Sequence, residues 1–236
     1  MKSRLVIVGP GRLGRSAAQI LKRNGHEFVL VGRGEPIPPA LVTWLTVPDK
    51  AIGPVAMTVP SGGVVLHASG AFDHEVLRPH ASAGSLHPLM SFPGPELGMP
   101  ETDIPAAVSG DADAVEAALT LADALGFSAV RVPGNRALYH AAAVTAGNFA
   151  TTLMVQAGRM LANTGLTETQ ARTLLAPLAI TSIKNAVEHG PEALTGPIAR
   201  GDDDTIETHR KALSKISPEL SAFYLSLCDA TKALKE

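Results

Sequence analysis

A single cysteine, Cys228, stands among the 236 residues, which excludes an intramolecular disulfide framework and a multi-cysteine metal site. It falls in an amphipathic C-terminal segment, where a buried thiol is the expected role rather than a nucleophile. Long apolar runs are missing too, since none reaches the roughly 20 residues needed to cross a bilayer. The chain passes from Met1-Lys2-Ser3-Arg4 into a β-forming run without a signal-peptide hydrophobic stretch, so a cytoplasmic location is expected. Neither charge dominates: 20 Lys and Arg against 22 Asp and Glu leave a net charge of −2, which argues against a nucleic-acid footprint. There is no repeat or low-complexity tract, and the histidine spacing matches no recognisable metal site. The length allows one large domain or two small ones with sizeable cores.

What is present is concentrated at the start. In Leu5-Val6-Ile7-Val8-Gly9-Pro10-Gly11-Arg12-Leu13-Gly14 a buried strand turns into a helix through glycines at G-x-G-x-x-G spacing. Gly9 permits the tight turn, Gly11 removes a Cβ from the approach to a pyrophosphate, and Gly14 lets helix and strand come close. The helix N-terminus offers free N–H donors and a partial positive charge to the phosphates. A Gly-rich turn alone is weak, but here four β-formers precede it and the helical pattern Ala17-Ala18-Gln19-Ile20-Leu21 follows, which favours a dinucleotide mount over a structural turn.

Which dinucleotide is read at the end of the second strand, Glu27-Phe28-Val29-Leu30-Val31, where an NAD-binding unit usually holds an acid for the ribose hydroxyls. Here the sequence is Gly32-Arg33-Gly34. An arginine can pair with a 2′-phosphate and stack on adenine, so NADP is expected over NAD. The alternative is a solvated surface arginine, with Glu35 nearby as a group that could still select NAD.

Up to Pro133, β-rich runs alternate with helical ones: 41–47, 64–68, 106–109, a helix over 111–125, and a strand over 128–132. Such alternation means a parallel sheet with helices on its faces. The Pro-rich 34–39 segment replaces a crossover helix with a short loop. Beyond Gly134 the pattern is helical, near 135–163, 167–189, 203–214 and 217–234. The expectation is an α/β Rossmann-type parallel sheet domain over 1–133, followed by an all-helical C-terminal domain over 134–236.

Several segments then converge on one family: Val47-Pro48-Asp49-Lys50-Ala51-Ile52, His67-Ala68-Ser69-Gly70-Ala71, Gly84 to Phe92 with its His87-Pro88 pair, Tyr139 through Asn148, and Leu194 to Asp202. Together they resemble the Rossmann-like family with a C-terminal DUF2520 domain, itself similar to the 6-phosphogluconate-dehydrogenase-like group that includes ketopantoate and pyrroline-carboxylate reductases. The resemblance implies an NAD(P)-binding domain, a helical domain used for dimerisation, and an active site in the cleft between them. It implies no substrate. The cofactor set expected on this basis is Gly9, Gly11, Arg12, Leu13, Gly14 and Arg33, with Val47, Pro48 and Ser69 after later strands.

Chemistry falls to groups at the carboxyl ends of the strands, and His87 leads. Hydride transfer to a carbonyl or imine leaves charge that a proton donor must neutralise, and imidazole titrates near neutral pH. The alternative is a histidine bonded to loop backbone, with Pro88 fixing the turn. His87-Pro88 is also similar to the His-Pro motif of prephenate and arogenate dehydrogenases, whose histidine contacts the reacting hydroxyl. On the following helix, at 100° per residue, Thr145 and Thr152 lie within about 60° of Asn148 and His140 about 80° away. This polar stripe in an apolar helix either bridges helices or faces a ligand. Tyr139 points away from Asn148 and reads as a core ring with a satisfied hydroxyl. Related hydroxyacid dehydrogenases place a lysine four residues before the asparagine; Val144 stands there, so their acid–base mechanism does not carry over, and the burden moves to His87 or His140. Arg200 can grip a substrate carboxylate, while Asp202, Asp203 and Asp204 can simply cap the next helix. His26, His74, His80, His189 and His209 read as surface or capping residues, and His67 as a buried, hydrogen-bonded strand residue.

The expected function is an NADP-dependent oxidoreductase of a small carbonyl, imine or hydroxy acid, with His87, His140 and Asn148 catalytic, Arg200 and Thr145 binding substrate, and no metal. A non-catalytic NADP-binding sensor is the alternative. Helices as apolar all round as 141–161 and 174–183 also point to a homodimer through the C-terminal domain.

Overall fold

Leu5 and Ile7 face one side of strand β1 (Ser3–Val8) and Val6 and Val8 the other, and both pairs are buried, in two separate cores. Period-two alternation between apolar residues on both faces is what a sheet covered by helices on both sides requires. The computed structural model describes residues 3–92, 94–98 and 103–235, and forms two compact units, 1–144 and 145–236.

In the first unit β1 is followed by α1 (Arg12–Arg23), β2 (Val29–Val31), β3 (Ala40–Leu45), α2 (Asp49–Ala56), β4 (Val64–His67), β5 (Ala83–Pro88), β6 (Ile104–Gly110), α3 (Ala112–Leu125), β7 (Phe127–Arg131) and α4 (Arg136–Val144). Among the described residues the strands form one sheet in the order β2-β1-β3-β4-β5-β6-β7. As expected, no helix joins β2 to β3. Trp44, Leu66, Leu86, Leu121 and Phe127 build the core on the α1 and α3 side; Leu45, Ile52, Val65 and Leu77 build the one under α2.

The sheet departs from the expected parallel pattern in one place. β6 runs antiparallel to β5, with His87 opposite Ala107, and every other strand pair is parallel. β5 itself, read from sequence as loop, is a strand. Its run carries few β-formers, but pairing with β4 and β6 imposes the extended form, as tertiary context often does. Gly84 is required there, because a Cβ would lie 2.9 Å from both the Ala114 Cβ and the Ser109 carbonyl oxygen.

The second unit opens with a π-helical turn (Thr145–Phe149) and continues as α5 (Ala150–Ala162), α6 (Glu168–His189), α7 (Pro197–Arg200), α8 (Asp203–Ser214) and α9 (Pro218–Lys232). Polar caps start three of them: Thr167 with Gln170 forms a capping box on α6, Asp202 caps α8 and Ser217 caps α9. The helix read as continuous over 135–163 thus carries a π turn, a feature that frequently marks functional positions. No helix among the described residues is long and apolar enough to cross a membrane.

The glycine turn carries a stability prediction. A Cβ on Gly14 would lie 2.1 Å from the Gly9 carbonyl oxygen, whereas at Gly11 the nearest atom is 3.9 Å away. Gly14→Ala should cost about 1–3 kcal/mol of stability through overpacking, and Gly11→Ala only a few tenths, as compared by urea denaturation midpoints.

Candidate functional site

The carboxyl ends of β1, β3, β4 and β5 lie along one edge of the sheet, and the chain changes direction of travel at β1, which has β2 on one side and β3 on the other. Open α/β sheets bind ligands at such a switch point. Gly9 has φ +108°, a conformation L side chains rarely adopt, and Gly14 sits against it. Thr46, just beyond β3, locks the turn: its Oγ1 donates to the carbonyl oxygens of Gly9 (2.8 Å) and Val8 (3.1 Å). Gly11 is the N-cap of α1 and offers no side chain to the helix's free N–H groups. An anion is the natural partner for such an end.

Beside this turn lies a cleft of ≈ 850 Å³ lined by Gly9, Pro10, Gly11, Arg33, Glu35, Val47 and Pro48. The first turn of α1 adds Arg12, exposed, and Leu13, half-buried against the core. Arg33 is exposed at the far end. Glu35 folds back so that its Oε2 accepts from the Gly32 N–H at 2.6 Å. The residue expected to select a 2′-phosphate and the one able to oppose it therefore line the same cleft.

At the ends of β4 and β5 a polar cluster assembles. His87 Nδ1 is 2.6 Å from the Tyr139 hydroxyl, and the rings meet edge to face. Arg136 lies over the Tyr139 ring, 4.5 Å from its centroid, and donates through Nη2 to the Ser69 carbonyl oxygen at 2.9 Å. Its Nε and Nη1 are buried without hydrogen bonds. His140 joins through Gly70, where a Cβ would lie 2.7 Å from His87 Cε1, 2.9 Å from His87 Nε2 and 2.9 Å from His140 Cδ2. Only a glycine admits both imidazole edges at that point.

Burial, with the Arg136 charge adding to it, sets the protonation of His67 and His87. His67 is fully buried; its Nδ1 accepts from the Ser69 N–H at 3.2 Å, while Nε2 has no well-formed hydrogen bond. Burial, reinforced by Arg136, lowers its pKa from 6.5 to about 4, against the opposing pull of Asp73 and Asp49. Burial likewise lowers His87 to about 4, with Arg136 and then His140 adding to it and Asp49 opposing. Burial raises Tyr139 and lowers Arg136. At neutral pH His67 and His87 are neutral imidazoles and Tyr139 a phenol, beside the Arg136 guanidinium.

Of the residues anticipated from sequence, His87, His140 and Ser69 come together here. His87 does so from a strand rather than a loop. Ser69 contributes backbone, its Oγ being used to accept from the Ala71 and Phe72 N–H groups. Tyr139 is half-buried rather than a core ring, with its hydroxyl spent on His87. Asn148, Thr145 and Arg200 belong to the second unit and are exposed there, so the polar stripe is not internal to that unit. Asp202 is a cap, accepting from the Thr205 N–H at 3.1 Å. His80, expected at the surface, is half-buried with Nε2 2.8 Å from the Ala56 carbonyl oxygen. Arg136, Gly70 and Thr46 were not anticipated. Arg136 and Tyr139 stand three apart on one helix, a spacing that would have exposed the pair.

Residues 104–231 match the family described as a domain of unknown function, DUF2520. This chain belongs to that family. The resemblance drawn from five segments is thereby borne out, two of them, Tyr139–Asn148 and Leu194–Asp202, lying within the match. Comparison with curated proteins gives no match. Among solved structures, protein TM1727 of Thermotoga maritima is 26% identical, with a TM-score of 0.75 over 98% of this chain and 97% of that one. BF3122 of Bacteroides fragilis, described as a candidate NADP oxidoreductase, is 18% identical with a TM-score of 0.80, each chain covered to 98%. The reductive aminase of Aspergillus terreus, seen with NADPH and ethyl levulinate, is 16% identical with a TM-score of 0.69 over 98% of this chain and 93% of its own. These neighbours share the Rossmann-type fold of oxidoreductases.

The depressed histidines give a pH prediction. Their folded pKa lies below the unfolded value, so as pH falls from 6.5 towards about 4 the unfolded chain takes up protons that the folded chain refuses. Stability should decline across that window and level off for these groups below it, with fully buried His67 contributing on the order of 3 kcal/mol. Urea midpoints measured along this pH range check it; a flat profile would contradict the buried neutral imidazole.

Proposed function

We propose that this chain is an NADP-dependent oxidoreductase acting on a small carbonyl, imine or hydroxy-acid substrate. The observation that carries it is the run of features along one sheet edge: the Gly9–Gly14 turn with its open Gly11 face, the ≈ 850 Å³ cleft reaching Arg33, and the His87–Tyr139 cluster three strands away. The turn fits a dinucleotide, because a Cβ is unobstructed only at Gly11 and the α1 N-terminus lacks a side-chain cap. Gly11, Arg12 and Leu13 would hold the pyrophosphate by backbone, Val47 and Pro48 would wall the cleft, and Arg33 would take the 2′-phosphate. A bound nicotinamide supplies a hydride equivalent; His87 handles the accompanying proton. NADPH in the reductive aminase supports the cofactor class, and an NADH-preferring ketol-acid reductoisomerase of the same fold shows that either nicotinamide is compatible with it. Arg33 favours the phosphorylated one. Asn148, Thr145, His140 and Arg200 are assigned to substrate, and 134–236 to substrate binding and dimerisation, in the cytoplasm.

Dimerisation draws support from the second unit alone. Among its described residues the buried ones are Gly158, Ala171, Ile206, Leu213, Ser221 and Cys228, while Leu174, Leu178, Ile183 and Val187 of α6 are 66%, 67%, 56% and 82% exposed. An apolar helix left this bare needs a cover, and a second copy related by a two-fold axis supplies it.

Two measurements test this. NADPH should bind more tightly than NADH in a fluorescence titration, and Arg33→Ala should cost about 1.5–3 kcal/mol, or roughly ten- to a hundred-fold, for NADPH only. Equal affinities, or an unaffected variant, would remove the NADP assignment. Sedimentation at micromolar concentration should give a dimer that Leu178→Glu weakens; a wild-type monomer would remove the dimer.

A further inference from the structure

The cluster at the ends of β4 and β5 holds more than a lone histidine needs. If His87 only bonded to backbone, its Nδ1 would meet a carbonyl; it meets instead a phenol at 2.6 Å. That phenol's ring lies under a guanidinium 4.5 Å from the centroid, and the guanidinium is anchored on the Ser69 carbonyl. The other edge of the imidazole, Cε1 and Nε2, faces Gly70, the point in this region where the chain presents no side chain. Tyr139, Arg136 and His140 are carried by α4 and Asp49 begins α2, and among the described residues these are the titratable and charged groups that act on His87.

We propose that Tyr139 and His87 form a phenol–imidazole proton relay backed by Arg136, and that it serves a carbonyl substrate or, in reverse, the corresponding alcohol, rather than an iminium ion. The proposal rests on the oxidoreductase reading above and narrows its substrate class. A phenol has one proton, and a neutral imidazole accepting it at Nδ1 carries its own on Nε2. As the carbonyl carbon receives the hydride pair from a reduced nicotinamide, which is oxidised, the carbonyl oxygen takes the Nε2 proton, and Nδ1 takes the Tyr139 proton. The nicotinamide C4–H bond, the C=O π bond, the Nε2–H bond and the Tyr139 O–H bond would break; the substrate C–H and O–H bonds and the Nδ1–H bond would form. The phenolate left on Tyr139 faces the fixed charge of Arg136 and regains a proton from water. A neutral imidazole could not finish this step alone without becoming imidazolate, which is why the phenol is needed. An iminium needs hydride only, and its positive charge would meet Arg136 in a cluster with no carboxylate hydrogen-bonded to His87 or Arg136 among the described residues. Tyr139 acts through His87, and Arg136 through Tyr139; both are positioning residues.

The first test needs neither substrate nor cofactor. Nitrogen NMR of the imidazoles in the free protein at neutral pH should place the His87 proton on Nε2, and Tyr139→Phe, which keeps a ring under Arg136, should release it into a mixture of tautomers. A proton fixed on Nδ1 and donated to Tyr139 would overturn the relay. The second test follows NADPH consumption with cyclohexanone, pyruvate and 1-pyrroline as probes. Turnover of a carbonyl probe should fall about 10²- to 10⁴-fold in Tyr139→Phe with KM and NADPH affinity kept, and show a solvent isotope effect on kcat that the variant alters. Turnover of 1-pyrroline alone, or a fully active Tyr139→Phe, would overturn it. If wild-type protein binds no NADPH, the oxidoreductase reading fails and the relay's role with it, whereas NADPH binding together with an Nδ1–H tautomer defeats the relay alone.

Discussion

The contact on which the rest depends is the approach of α1 to the first turn of the sheet. Gly14 lies so close to the Gly9 carbonyl that no side chain fits, and the single hydroxyl proton of Thr46, just beyond β3, is shared between the Gly9 and Val8 carbonyl oxygens of the same turn. Helix, turn and β3 are therefore fixed to one another at the place where the backbone N–H groups of α1 emerge. The open face of Gly11 and the position of the cleft follow from that contact. A looser turn would leave the same glycines without a defined binding edge.

A second constraint is electrostatic. Arg136 places a guanidinium among buried groups with two of its nitrogens unpaired, which costs desolvation energy. That charge joins burial in holding His67 and His87 neutral, and it lies over the Tyr139 ring while bonded to the Ser69 carbonyl. A general acid is usually tuned close to working pH. Here the imidazole is held well below it, so in the proposed relay its proton would be replaced from Tyr139 behind it rather than come from an imidazolium. The relay proposed for the cluster would thus depend on Arg136, whose contacts are the Ser69 carbonyl and the Tyr139 ring.

The helical unit follows a different logic. Its helices are well started by Thr167, Asp202 and Ser217, yet few of its side chains are buried within the unit. Local capping and propensity fix each helix, but an apolar face without a cover gains nothing from burial. Its stability and its function are therefore both questions about what covers it. The exposure of Asn148 and Arg200 within the unit belongs to the same question.

The sequence by itself determined the mount, the helix starts and the family. Each is written in local terms: glycine spacing, cap residues and apolar period depend on neighbours within a few residues. The lone Arg33 and Glu35 were legible for the same reason, since both follow directly from the end of β2. Only the tertiary structure decided that β5 is a strand antiparallel to β6, because its extended form comes from partners distant in the chain rather than from its own residues. Only it could bring Tyr139 to His87, 52 residues away, and set Arg136 over the Tyr139 ring. A pKa depends on burial and on charges supplied by other elements, so the protonation state of a histidine is not encoded near it. For that reason His87 could be singled out from its residue type, while its partner and its protonation came from the helix packed beside it and from burial.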